Sequence, residues 1–262
     1  MIRILLAATF AFACMSLRAE EALPAALPPA EEASALVSAQ SVGVALYRHD
    51  RAAWVATDAA RAVPQFKEDR RVNGWITEQS GSDIVVTFLD ATPAALYRVS
   101  VTDGKAGPVL ALEAPTPLSA YEAGAAAARS LAIRTPFQLC SKDYNPVVLP
   151  GSTPAEDWVV YLIPGTTKST VVPIGGAYRF AVKDSRVVSQ RGFTRSCIDL
   201  ENGPRAVGLF ITHVLDSVPT EVHVFWSLVT RKPIYVATAP AGSIWMVHGG
   251  KIMLSERKSP GG

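Results

Sequence analysis

The sequence is sparing with the residues that build most catalytic and metal centres. Three cysteines and four histidines are spread through 262 residues. The histidines, His49, His213, His223 and His248, make no H-x-x-H, H-E-x-x-H or Cys/His ligand spacing, which excludes the common zinc motifs. No Cys-x-x-Cys pair occurs, so no thioredoxin-type redox motif is present. A G-x-S-x-G nucleophile elbow, a G-x-G-x-x-G fingerprint and a P-loop are all missing. Pro150-Gly151-Ser152-Thr153-Pro154 carries glycine on one side of its serine only, and Gly175-Gly176 leads into a predicted strand rather than a helix. No cofactor and no metal is implied. Nor is there a surplus of one charge: 25 basic residues face 23 acidic ones. A balanced chain has no global field to attract nucleic acid or an anionic membrane. Beyond the N-terminus no apolar run approaches the ~18 residues of a membrane span, and no repeat of 20–50 residues is evident.

What is present is a folded-protein composition, 49% hydrophobic and 18% charged, long enough to bury a sizeable core. The chain begins with an address. Met1-Ile2-Arg3 is a short positive start, Ile4 to Ala13 is an apolar run of signal-peptide length, and Ala19 before Glu20-Glu21 is the expected cleavage point. Residues 1–19 therefore read as a signal peptide and the mature protein as periplasmic or secreted. Lipoprotein processing at Cys14 is the alternative, with small residues at −3 and −1 but Phe12 between them. Removing 1–19 takes away Arg3 and Arg18 and no acid, so the two signs balance in the mature chain. Export leaves Cys140 and Cys197 in an oxidising compartment, where one disulfide is the simplest outcome and two separate buried thiols the other. Closing a loop of that length would stabilise the fold by about 4 kcal/mol.

The pattern predicts an α+β fold of two β-rich units. Residues 20–40 are Ala, Pro and Glu, with Pro24, Pro28 and Pro29 as helix breakers, and read as a flexible spacer. The first unit, 41–134, opens with a short strand at 42–48 and a helix at 51–62 capped by Asp50. Four strands follow at 73–78, 83–89, 95–102 and 108–113, separated by Ser80-Gly81-Ser82 and Asp103-Gly104-Lys105 turns. A second helix, 118–133, starts at a Ser119/Glu122 capping box. The second unit, 135–262, reads as a mostly antiparallel sheet, with strands at 158–163, about 178–183, 186–191, 205–212, 220–228, 233–238, 243–247 and 251–254.

Two groups of side chains stand out as candidate sites. Arg179, Lys183, Arg186, Arg191 and Arg195 crowd one hairpin beside Tyr178 and Phe193, a face suited to an anionic ligand or acidic partner; an ordinary solubilising sheet face is the competing reading. In the predicted strand 220–228, Glu221 and His223 share a face opposite Val222, Val224 and Trp226, and His213 comes near if the strands pair. A structural histidine is the competing reading. His213, Asp216 and Ser217 are close in sequence, but a triad is defined by geometry. The acids Asp143, Glu156, Asp157, Asp199 and Glu201 flank strands as solvated loop acids do.

Residues 157–197 (DWVVYLIPGTTKSTVVPIGGAYRFAVKDSRVVSQRGFTRSC) and 219–225 (PTEVHVF) resemble a family of exported, signal-peptide-bearing hypothetical proteins of proteobacteria. They share a buried strand, a Gly-Gly-x-Tyr-Arg strand and a Phe-Thr-x-Ser-Cys segment. The resemblance covers about the last 120 residues and implies export; it brings no activity and no site residue. The first unit is similar in shape to PepSY-type modules, with a helix and then a meander containing Tyr97-Arg98-Val99-Ser100-Val101, which implies a binding or inhibitory role.

Three functions fit these observations. The first is a non-catalytic exported protein that binds an envelope partner or small ligand, using Tyr178, Arg179, Arg191, Arg195, Glu221 or His223. The second is an envelope hydrolase with a spatial site near His213, Glu221 and His223. The third is a protease-inhibitor-like first unit. A deep pocket lined by His223 and Glu221 would favour the enzyme, a flat apolar patch the partner.

Overall fold

The structure is a computed structural model that describes residues 23–257 except 154 and 167. The expected signal peptide, its expected cleavage point and Cys14 lie outside the described residues. The described chain is α+β, with four helices and fifteen strands in several sheets.

The first element corrects two expectations. Helix α1 runs without interruption from Pro29 to Arg61. It replaces most of the expected spacer, the expected strand at 42–48 and the expected separate helix, and the expected boundary at 40/41 falls inside it. Pro28 and Pro29 do not break this helix; they begin it, because a first-turn proline gives up an N–H that has no intrahelical acceptor anyway. Glu31 and Glu32 in the first turn and Arg61 in the last complement the helix dipole. The buried residues, Ala39, Gly43, Leu46, His49, Ala52, Ala53, Ala56 and Ala60, follow one helix face, mostly at three- and four-residue intervals.

Helix α2, Pro64–Glu68, places Phe66 edge-on against Phe88 and Tyr97. Strands β1 (Gly74–Ser80), β2 (Asp83–Leu89), β3 (Ala95–Thr102), β4 (Lys105–Ala106) and β5 (Leu110–Thr116) form an antiparallel sheet close to the expected meander, in the order β1-β2-β3-β4 with β5 also on β3. Helix α3, Ala120–Arg134, begins at the expected capping box: the Ser119 hydroxyl accepts the Glu122 N–H and the Glu122 carboxylate accepts the Ser119 N–H.

Strands β6 (Tyr144–Pro150), β7 (Trp158–Pro164), β9 (Tyr178–Lys183) and β10 (Arg186–Gly192) make a second antiparallel sheet, ordered β10-β9-β7-β6, while β8 (Val171–Val172) pairs β11 (Leu200–Glu201). Cys140 and Cys197 are bonded, with Cα atoms 5.2 Å apart, and join the segment after α3 to the chain leaving β10.

The last sheet contains β12 (Leu209–His213), β13 (Ile234–Thr238), β14 (Ser243–His248) and β15 (Lys251–Glu256), in that order. Strand β12 starts later than the expected 205. The expected strand 220–228 is instead helix α4, Glu221–Thr230. Its Val, Phe and Trp content favours strands, but 222–227 are all buried, and a segment apolar on every side suits a covered helix as well as a central strand. The topology decides: β12 and β13 pair in parallel, so a crossover must connect them, and α4 is that crossover.

Three apolar clusters organise the chain. One joins Ala39 and Leu46 of α1 to α4, the last sheet and one face of β7. A second sets Ala52, Ala56 and Ala60 of α1 on β2 and β3. The third packs α3 between β1–β2 and the other face of β7 and β9. Helices α1 and α4 touch closely at Gly43, where a Cβ would lie 2.5 Å from Val224 Cβ. No helix among the described residues is long and apolar enough to cross a membrane.

Candidate functional site

The residues singled out by sequence divide into two chains of polar contacts along one face of β10-β9-β7. In the first, His213 at the end of β12 hydrogen-bonds through Nε2 to Asp216 Oδ2 at 2.9 Å, and Asp216 accepts two bonds from Arg191 at 3.2 and 2.6 Å. Burial pushes the Asp216 carboxyl up, but the bonds from His213 and Arg191 outweigh it and hold the group down at about 2. Arg191 also lies 4.7 Å above the centre of the Phe193 ring. The His213 and His223 rings meet edge to face, 4.8 Å apart.

His223 is not the partner of Glu221. On a helix, residues two apart diverge by about 200°. His223 turns inward and is 2% exposed, and its Nδ1 accepts the Thr220 backbone N–H at 3.0 Å, closing the N-terminal turn of α4. Burial, then the neighbouring His213, hold its pKa well below the usual value, so it is a neutral capping imidazole. Glu221 belongs to the second chain and accepts the Tyr161 hydroxyl at 2.9 Å. Arg179 stands beside Tyr161 on this sheet and is ion-paired with Glu156. Tyr178 points to the other face of β9, against Phe137. Lys183 pairs with Asp157 at 3.8 Å, and Arg195 is exposed in the segment before Cys197.

The structure thus gathers Arg191, His213 and His223 in one cluster and Arg179 and Glu221 in another, leaving Tyr178 and Arg195 outside both. Much of the hairpin's positive charge is paired internally. Among the described residues no hydroxyl or thiol is hydrogen-bonded to His213, the Ser227 hydroxyl is committed to the Val224 carbonyl, and no group of three His, Cys, Asp or Glu is placed to hold a metal ion.

The open site lies elsewhere. Helix α1, helix α4 and the start of β6 with the end of β7 enclose a cleft of about 300 Å³. Its α1 wall carries Tyr47, Asp50, Arg51 and Trp54, at three-, four- and seven-residue intervals from Tyr47 on one helix face. Its α4 wall carries Trp226, and Arg231 stands at the helix's C-terminal end. The floor includes Asn145, whose amide donates to Asp50 Oδ1 at 3.1 Å. Burial pushes the Asp50 carboxyl up to about 6, against the smaller opposing effects of Asn145 and Arg51. No lysine or arginine among the described residues is ion-paired with Asp50, and no acid is ion-paired with Arg231. The Trp54 ring is 55% exposed, an unusual position for a large aromatic side chain. Trp226 is 5% exposed, and its indole N–H is buried without a hydrogen-bond acceptor among the described residues.

Shallower hollows extend the cleft in two directions. One shares Asp50, Trp54 and Asn145 and continues to Asp58; another shares Tyr47, Arg51 and Arg231 and continues to Arg48. The first hollow also carries Arg61 and the second Asp103, so both signs of charge line each.

None of Asp50, Trp54, Asn145 or Trp226 was singled out as a site residue from sequence. The available signal was the Tyr47/Arg51/Trp54/Asp58 stripe, which becomes visible only once 29–61 is read as one helix with its alanines packed inward. No family model, curated protein or solved structure matches this chain.

Proposed function

We propose that the chain is an exported, non-catalytic binding protein of the cell envelope that takes a small ligand in the cleft between α1 and α4. Export is supported by the charged and apolar start of the sequence and by the Cys140–Cys197 bond. The observation that carries the binding role is the cleft itself: aromatic side chains and a desolvated carboxyl with no ion-pair partner among the described residues line one cavity. Such a carboxyl is costly to leave unpaired in a fold, and a ligand can complete it.

The hydrolase reading has less support. The imidazole of His223 is occupied by its own helix cap, Glu221 is bonded to Tyr161, and His213 has an orienting acid but no nucleophile among the described residues.

A thermal-shift screen of the mature protein against a small-molecule library tests the reading. Compounds that raise the melting temperature of the wild type and lose that effect in Trp54→Ala support a cleft ligand. Binding that survives Trp54→Ala but disappears in Arg191→Ala would move the site to the basic hairpin.

A further inference from the structure

We propose that the cleft selects a zwitterionic amino compound with an apolar body, a free amino acid or a short peptide. Its ammonium lies by Asp50, its carboxylate by Arg51 and Arg231, and its body against Trp54 and Trp226. The proposal rests on the binding role given above and adds the ligand's chemical class.

The charges in the cleft are arranged by the helices. On α1, Asp50 and Arg51 are adjacent in sequence, so their side chains leave the helix about 100° apart. Asp50 lines the hollow that continues to Asp58 and Arg61, and Arg51 lines the one that continues to Arg48 and Asp103. Arg231 joins Arg51 from across the cleft, at the end of α4. Asp50 has one side-chain hydrogen-bond donor, the neutral amide of Asn145.

A ligand with a positive charge alone would satisfy Asp50 and meet two arginines. A purely anionic ligand would satisfy the arginines and leave a carboxyl desolvated beside it. A neutral apolar ligand would bury Asp50 further with no cation to compensate it, which is unfavourable. A ligand carrying both charges answers both ends. An ammonium near the faces of Trp54 and Trp226 gains cation–π attraction as well as the charge-assisted bond to Asp50. A volume of about 300 Å³ is at the small end of ligand pockets, which suits one or two residues rather than a longer oligomer.

The test uses four forms of one side chain on the full mature protein, followed by calorimetry or tryptophan fluorescence. The probes are phenylalanine, phenylalaninamide (no carboxylate), N-acetylphenylalanine (no ammonium) and N-acetylphenylalaninamide (neither). Phenylalanine should bind tightest, and each blocked end should weaken binding about tenfold. The dipeptide Ala-Phe, compared with phenylalanine, separates a peptide ligand from a free amino acid.

Two variants assign the ends. Asp50→Asn should remove the difference between phenylalanine and N-acetylphenylalanine. Arg231→Gln should shrink the difference between phenylalanine and its amide. Circular dichroism and melting curves confirm that both variants fold. If the doubly blocked probe binds as tightly as the zwitterion, or if none of the probes binds while the library screen finds another cleft ligand, the zwitterion proposal fails and the binding role stands. If the library yields no cleft ligand at all, the binding role itself fails.

Discussion

Two polar sites lie on either side of α4, and they treat their ionisable groups in opposite ways. At the helix's N-terminal end, the groups of Arg191, Asp216, His213 and His223 are coupled to one another, and the acid is held ionised by its neighbours. At the C-terminal end, Asp50 faces a cavity with an amide for company, and burial favours its neutral form. The first arrangement lets a fold bury charge without leaving it uncompensated. The second costs stability, and in the proposed function a bound molecule would complete it.

The contrast can be broken at several points. The largest effect belongs to the covalent tie beside the closed cluster. Replacing Cys140 and Cys197 together by serine should reduce stability by about 4 kcal/mol, measured by denaturant unfolding, while ligand affinity at the cleft changes little in the folded fraction.

Next is Asp216→Ala, which leaves His213 without its acceptor and Arg191 without its acid. A loss of about 2–3 kcal/mol is expected above pH 4. In the wild type this contribution comes from a folded-state pKa below the unfolded one, so it is present above about 4 and fades as pH falls through about 2. A thermal melt unchanged by the substitution would show that the cluster is not the structural site described.

The cleft should respond with the opposite sign. The Asp50 pKa is raised, so its folded form keeps a proton that the unfolded chain releases between about pH 4 and 6, and stability falls over that window as pH rises. Asp50→Asn removes this penalty. With Asp50 half-buried, the variant should be more stable than the wild type by about 1–2 kcal/mol at pH 7 and equal to it below pH 4. A variant that gains stability and loses ligand would show a residue kept for function at a cost to the fold.

The smallest effect on stability is expected at Trp54. Because the ring is 55% exposed, Trp54→Ala should change the unfolding free energy by less than about 0.5 kcal/mol. Its effect on ligand affinity should be far larger, and this ratio distinguishes a binding residue from a packing residue.

Where structure depends on short-range chemistry, the sequence was legible. The Ser119/Glu122 capping box, the Asp184-Ser185 turn between β9 and β10, the β1–β3 meander and the pairing of Cys140 with Cys197 all follow from residues within a few positions or from counting. Elements α2, β6, β8 and β11 were not expected, and two helices, α1 and α4, were misread. In both, Val and aromatic residues in alternation looked like strand, and packing on distant partners decided for helix. The cleft's two helical walls were lost with them, and Asn145 lies on β6, a strand the pattern did not mark. Glu221 and His223 looked paired only because a strand places alternate residues on one face, whereas α4 separates them.

Helix α1 has one further consequence, best put in terms of phase. Its 33 residues make a rod of about 50 Å whose early turns enter one apolar cluster and whose later turns enter another, with the cleft residues Tyr47 to Trp54 between them. Substitutions on the exposed side leave the rod's angular setting unchanged. One inserted residue between Leu46 and Ala52 would turn everything beyond it by about 100°, swinging Ala56 and Ala60 off the sheet while Ala39 and Leu46 stayed seated. Both cores thus lock the rotation of the segment between them, and the cleft's side chains are aimed by a shaft clamped at both ends.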